Sequence, residues 1–243
     1  MKLKIVADNG FDPADVRLML SAPQPQAVIH AGRNVLWTAE CHGRVYVVKS
    51  FCCGAKNRIV YRFRRSKARR SFDNAQELLS RGFSTPAPVA WAERRNAFGL
   101  LTGAWYVSLY DDKMCLRDAL TNYGKECMTA FADFVAGLHV KGIRHDDLNN
   151  TNVRVKRRPG GSYSFDLIDL NRMKIYPVGG EVPVKRSIRN LCRFSALDRS
   201  FLDFVKAYLC CRRWPSEMCL RIVAVKRRHD WRGRMKQLIK KRL

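Results

Sequence analysis

Acidic residues are scarce in this chain of 243 residues: 21 Asp and Glu stand against 46 Lys and Arg, a formal charge of +25. That imbalance exceeds what solubility needs and would repel a cationic substrate, so it points to a polyanion such as nucleic acid, anionic lipid or a phosphorylated glycolipid. Long apolar runs are missing too. No 18 consecutive apolar residues occur, which excludes an ordinary membrane-spanning helix, and the N-terminus MKLKIVADNGFDPADV lacks the apolar core of a signal peptide. The nine cysteines form no CxxC pair and have no histidine at zinc-ligand spacing, so free thiols in a reducing cytosol are expected. Repeats and low-complexity tracts are absent. Hydrophobic residues make up 47% of the chain, enough for one core or two small lobes.

Strand-like runs at Ala27 to Ile29, Val35 to Thr38 and Arg44 to Phe51, then Val89 to Trp91 and Ala104 to Tyr110, predict a five-stranded antiparallel sheet. One helix interrupts it, through Phe72, Ala75, Leu78 and Leu79, and ends at Gly82. Ser-Thr-Pro-Ala-Pro at 84 to 88 enforces an extended exit. Near Leu109 to Lys113 the pattern changes from strand to helix, which suggests a hinge. Beyond it Met128, Phe131, Ala132, Val135 and Leu138 recur at helical spacing, with Gly142 placed as a C-cap. Two alternating runs, Val153 to Lys156 and Ser162 to Ile168, form a hairpin around Pro-Gly-Gly at 159 to 161. From Ser187 onward the chain reads as helical, with Leu197, Phe201, Phe204 and Val205 on one face.

Between the helix and the hairpin lies the segment carrying chemistry. His145, Asp147, Leu148 and Asn152 fit the pattern H-x-D-L-x-x-x-N of phosphoryl-transfer loops. A carboxylate beside an attacking hydroxyl and an amide oxygen turned to a metal ion are what that reaction requires, and five residues of loop present both on one side. Asp147 is thus the candidate catalytic base, and Asn152 with Asp169, at the end of the next strand, the candidate Mg²⁺ ligands. His145 reads as structural support of the loop. His139, Asp146, Asn149 and Asn150 serve the loop or solvent. Lys49 closes the run VYVVK and can reach ATP phosphates, with Asp73 or, by reach, Glu77 as its partner on the helix. Gly32 and Arg33 occupy the place of a phosphate-covering loop, although a single glycine makes a poor backbone cradle. Leu109 and Tyr110 at the hinge complete the nucleotide-binding candidates.

The order of these features, with Leu-His-Val-Lys-Gly-Ile-Arg-His-Asp-Asp-Leu at 138 to 148 and Ile-Asp-Leu-Asn-Arg at 168 to 172, resembles the lipopolysaccharide kinase family of Kdo kinases and core heptose kinases. The likeness runs over roughly residues 25 to 210, with Arg-Asn-Leu at 189 to 191 similar to the family's later helix. It implies an α+β, bilobal protein-kinase-like fold: an N-lobe over 1–110, with a small antiparallel sheet and one helix, and a mainly helical C-lobe over 111–243. It also implies ATP and Mg²⁺ as cofactors, and transfer to a Kdo or heptose hydroxyl on lipid A at the cytoplasmic face of the inner membrane. Leu170 and Asn171 replace the Phe and Gly that follow the metal-binding Asp of protein kinases, and no Ala-Pro-Glu segment follows.

Two basic segments bear on partners. Arg58 to Arg70 holds seven Lys or Arg, and Lys226 to Arg242 holds nine. Val60, Tyr61, Phe63, Trp231 and Leu238 interleave these charges, the pattern of a peripheral membrane interface. A protein or small-molecule kinase of the same fold is the alternative acceptor reading. A non-catalytic pseudokinase binding nucleic acid or membrane would account for the charge but not for four catalytic-type residues in register, so nucleic acid is not the expected partner.

Overall fold

The computed structural model describes residues 2–21, 27–195 and 197–241. The chain forms two compact units, Met1–Asp112 with Asp169–Arg172, and Lys113–Ile168 with Met173–Leu243.

The first unit is built on a six-stranded antiparallel sheet. Its strands are β1 (Lys2–Ala7), β2 (Ala27–Ala31), β3 (Val35–Cys41), β4 (Arg44–Ser50), β5 (Pro88–Arg95) and β6 (Leu101–Leu109), in the order β1-β5-β6-β4-β3-β2. The helices are α1 (Pro13–Ser21), α2 (Ala55–Phe63) and α3 (Lys67–Ser80). One strand and two helices thus join the five strands and single helix expected. The run Lys2–Ala7 alternates lysine with apolar residues because it is a sheet edge, where charge discourages pairing with other chains. Asp12 caps α1 by accepting from the Ala14 N–H at 2.7 Å, and Pro13 opens the helix.

Two cores form on the sheet: side chains alternate along β4, and register shifts at Pro88/Ala90 and Arg94/Arg95 interrupt the alternation where β5 pairs with β6. Tyr46, Val48, Val89, Ala90 and Val107 pack with Val16 and Met19 of α1, whereas Phe51, Trp91, Leu101 and Ala104 pack with Ala68 and Phe72 of α3. Lys49 therefore leaves β4 on the α3 side, its ammonium 5.4 Å from the centre of the Phe51 ring. Tyr61, expected at an interface, is buried in this second core.

In the second unit β7 (Met114–Cys115), β9 (Val153–Arg157) and β10 (Tyr163–Leu167) form one small sheet, and β8 (Ile143–His145) pairs with β11 (Met173–Ile175). The helices are α4 (Leu116–Val140), α5 (Val184–Leu191), α6 (Arg199–Cys211) and α7 (Met218–Lys241). Gly124 breaks α4 with φ 56° and ψ −131°, a conformation glycine adopts without strain. Phe131 anchors the core, its ring centre 5.3 to 5.6 Å from those of Phe165, Phe194 and Phe204. Lys226 is buried, donating to the Cys192 carbonyl at 3.0 Å and to Asp230 at 2.8 Å, so this basic residue of the tail is structural. Arg242 lies outside the described residues. All nine cysteines are free thiols.

Candidate active site

The catalytic-type loop belongs to the second unit, and backbone geometry shapes it. Gly142, at φ +69°, ends α4 and turns the chain into β8, which delivers His145 to the loop. His145 is 1% exposed. Its Nε2 lies 2.9 Å from the Ile168 carbonyl oxygen, which can only accept, so Nε2 carries the proton and Nδ1 accepts the Asp147 N–H at 3.3 Å. Leu148, also 1% exposed, pins the loop to the core. Asn149 Oδ1 accepts from the N–H groups of Thr151 and Asn152 and from the Thr151 hydroxyl. Asn152 Nδ2 donates to the Asp147 carbonyl at 2.9 Å, which commits the amide nitrogen inward and leaves Oδ1 as the oxygen to offer a cation. Ile168 donates its N–H to the Asn152 carbonyl at 3.0 Å, and Asp169 is the next residue.

His145 rests on two residues, His139 and Asn190, that lie in the motif stretches but whose pairing only the fold reveals. Asn190 of α5 donates to the His145 carbonyl at 2.7 Å, and His139 meets Asn190 Oδ1 at 2.9 Å and the Tyr208 hydroxyl at 2.8 Å. Burial, only partly offset by the Asn190 hydrogen bond, pushes the His139 pKa down to about 4, so this histidine is neutral. Its place is beneath the loop, not in solvent. Asp146 is paired with Arg144, whose Nη2 donates to Oδ2 at 2.9 Å and whose Nε lies 2.6 Å from Oδ1. Asp166, 2% exposed, takes the Lys113 ammonium at 2.5 Å and ties the hairpin to the chain ahead of β7.

The first unit holds the other half of the predicted set. Lys49 Nζ donates to Asp169 Oδ1 at 2.6 Å, with both side chains mostly buried. Neither Asp73 nor Glu77 pairs with Lys49: Arg65 takes Asp73 at 2.8 Å and Arg81 takes Glu77 at 2.7 Å. Glu77 and Arg81 are four residues apart on one helix face, where the partner is local, and the basic run preceding α3 supplies Asp73 with its own. Asp169 sits at φ +60°, a left-handed conformation uncommon for a residue with a side chain. Besides the Lys49 pair, Asn171 Nδ2 donates to Asp169 Oδ1, and Asn74 Nδ2 of α3 donates to the neighbouring Leu170 carbonyl at 2.7 Å.

Gly32 gives its N–H to the Asn34 carbonyl at 3.2 Å within the β2–β3 turn, so that group closes the turn instead of cradling phosphate. Arg33 belongs to a cationic cluster. Burial first, and then the charges of Arg33, Arg172 and Arg70, push the Lys67 ammonium below the usual lysine range. Lys67 belongs to the basic run Arg58 to Arg70 and Arg172 ends the motif Ile-Asp-Leu-Asn-Arg, but the sequence does not join either to Arg33 because the three stretches meet only in the fold. Leu109 and Tyr110 close β6, giving their N–H groups to the carbonyls of Ala87 and Val45 at 2.9 Å each.

A model of the lipopolysaccharide kinase (Kdo/WaaP) family matches residues 31–206. No match was found among curated proteins. Among solved structures the chain is similar to WaaP in complex with acyl carrier protein, at a TM-score of 0.62 and 18% identity, over 94% of this chain and 98% of that one. A weaker likeness, with a TM-score of 0.49 and 15% identity over 90% of this chain and 74% of the other, is to the Rio2 kinase-ADP/Mg²⁺-phosphoaspartate complex from Chaetomium thermophilum. The family match and the likeness to WaaP make the α+β fold kinase-like.

Proposed function

This chain belongs to the lipopolysaccharide kinase (Kdo/WaaP) family, and from that premise we propose that it transfers the ATP γ-phosphate to a Kdo or heptose hydroxyl of the lipid A inner core. It is an ATP-dependent kinase. The observation that carries the acceptor-side mechanism is the Asn152 amide, whose nitrogen is bound to the Asp147 carbonyl, so that Asp147 and Asn152 are fixed as one unit. Asp147 orients the acceptor hydroxyl and takes its proton. His145 holds the loop and does no proton chemistry, because both its ring nitrogens are committed to backbone groups.

Lys49 serves the α and β phosphates of ATP, kept in place by Asp169 until nucleotide arrives. Arg33 and Lys67 supply the anion attraction that a loop with one glycine lacks. The donors Asn152 Oδ1 and the Asp169 carboxylate are hard oxygens that suit Mg²⁺, which when bound neutralises charge on the phosphate oxygens.

Delivery to the substrate is peripheral in this reading, on the inner face of the inner membrane. Among the described residues no helix is long and apolar enough to cross a membrane. On α2, Ile59 and Phe63 are 61% and 82% exposed beside Arg58 and Arg62, and on α7 Trp231 and Leu238 are 56% and 55% exposed. Basic residues near an anionic leaflet add roughly 1 kcal/mol each before screening.

Incubating the purified chain with ATP, Mg²⁺ and lipid A precursors that bear Kdo, heptose or neither tests the assignment. The expected product gains the mass of one phosphate, only on the sugar-bearing acceptors. Phosphorylation of the bare precursor, or of none, would refute it.

A further inference from the structure

A groove of about 760 Å³ opens between α5 and α7 in the second unit, and its walls are basic. Lys185, Arg189 and Arg193 recur every four residues along α5 and just past its end, while Arg221, Arg228 and Arg232 line the facing side of α7. All six are exposed, and none forms an ion pair among the described residues. The single carboxylate in the lining is Asp146, which Arg144 already pairs with. Like charges at this spacing on a helix are mutually destabilising, and two such rows facing one another compound the cost. A concave basic surface also concentrates its field, so an anion in the groove meets a stronger potential than on a flat face.

Shape and chemistry narrow the occupant. The volume lies in the range of pockets that enclose a discrete ligand, whereas a leaflet presents a plane. Guanidinium groups bind phosphate in a forked, two-bond geometry, and five of the six cations named are arginines. Asp146 at the edge of the groove immediately precedes Asp147, so a ligand held there lies beside the loop assigned to the acceptor. The family match stops at residue 206, which leaves the α7 wall outside it.

We propose that the α5–α7 groove is an acceptor subsite that grips phosphate groups on the glycolipid headgroup while a neighbouring sugar hydroxyl faces Asp147. This rests on the reading of the chain as a kinase of phosphorylated glycolipid.

The test compares the full chain with Arg189→Gln/Arg228→Gln/Arg232→Gln and with a control of equal charge loss on exposed residues elsewhere in the second unit, Lys125→Gln/Lys156→Gln/Lys206→Gln. Binding is measured to lipid A bisphosphate in phosphatidylcholine vesicles, to its dephosphorylated form, to the deacylated disaccharide bisphosphate in solution, and to poly-L-glutamate. The unsubstituted chain and the control should favour the bisphosphorylated lipid at least tenfold over the dephosphorylated one. In the groove variant that ratio should fall to near one, with a parallel loss of affinity for the soluble disaccharide. An Arg→Lys triple at the same positions should fall between, since charge survives but the fork does not.

Equal losses in groove variant and control mean that only bulk charge matters, and an unchanged ratio means that the groove is not used; either overturns the proposal. So does a loss confined to poly-L-glutamate, which would assign the groove to an acidic protein. Loss for the vesicles without loss for the soluble disaccharide would assign it to the leaflet. Binding needs no turnover, so a chain that selects phosphate in the groove but phosphorylates nothing refutes the catalytic reading alone. Transfer with an unchanged acceptor KM in the groove variant refutes the subsite alone.

Discussion

His139 and Asn190 meet in the interior of the second unit, ring Nε2 to amide Oδ1 at 2.9 Å, and Asn190 passes the connection on by donating to the His145 carbonyl at 2.7 Å. Because Asn190 Oδ1 can only accept, the His139 proton is on Nε2, and Nδ1 accepts from the Tyr208 hydroxyl at 2.8 Å. The catalytic-type loop therefore rests on a chain of hydrogen bonds that requires a neutral imidazole.

That requirement makes stability depend on pH. The folded pKa of His139, about 4, lies below the ordinary value of 6.5, so the unfolded chain takes up the proton first as pH falls. The stabilisation is fully present above pH 6.5 and is lost progressively towards the folded pKa, with roughly 2 kcal/mol gone by pH 5. Thermal unfolding between pH 7 and pH 5 should show a steeper decline for the unsubstituted protein than for His139→Gln, which has no such proton to bind. Parallel slopes would remove His139 from the account.

Asn190→Ala should be costly for a different reason. It strips the His145 carbonyl of its side-chain donor and the His139 N–H of its acceptor, both in a dry interior. Each buried group left unsatisfied costs about 1–3 kcal/mol, so urea unfolding should register a loss of about 2–5 kcal/mol. Asn190→Asp restores the acceptor but not the donor and should fall between. A loss under about 1 kcal/mol would mean that the loop does not depend on this support.

Asp147→Asn separates chemistry from folding, since the bond to Asn152 uses the Asp147 main-chain carbonyl and survives the change. kcat should drop by about 10²–10⁴ while the unfolding temperature and ATP-induced thermal shift remain. Retained turnover would exclude Asp147 as the base.

How far the sequence reveals this arrangement depends on the range of the interaction. The loop from His145 to Asn152 is local, and the spacing of its residues already dictates the turn that Asn149 closes, so it is legible in the chain. Lys49 is legible as a strand-end lysine, but its partner is not: Asp169 lies 120 positions away, while Asp73 and Glu77 sit on the helix where a partner is sought. Asn190 stands in the Arg-Asn-Leu stretch that carries part of the resemblance, but its role is not legible there, because nothing in a basic helix tells which carbonyl an asparagine will meet until His145 is placed against it. The edge strand Lys2–Ala7 is hidden by the lysines that protect it.

The cationic cluster around Lys67 gives the last prediction. Burial and the neighbouring charges of Arg33, Arg172 and Arg70 disfavour the ammonium, and an anion brought among these groups relieves the repulsion. Bound nucleotide phosphate should therefore be held more tightly than Gly32 alone allows. Arg33→Gln/Lys67→Gln should raise the KM for ATP by about tenfold, equivalent to about 1.4 kcal/mol, with kcat within threefold, because binding is lost in ground and transition states alike. The effect should shrink as ionic strength rises towards 0.5 M, since salt screens these partly exposed charges in the unsubstituted enzyme. A variant with unchanged KM at low salt would show that the cluster lies away from the nucleotide.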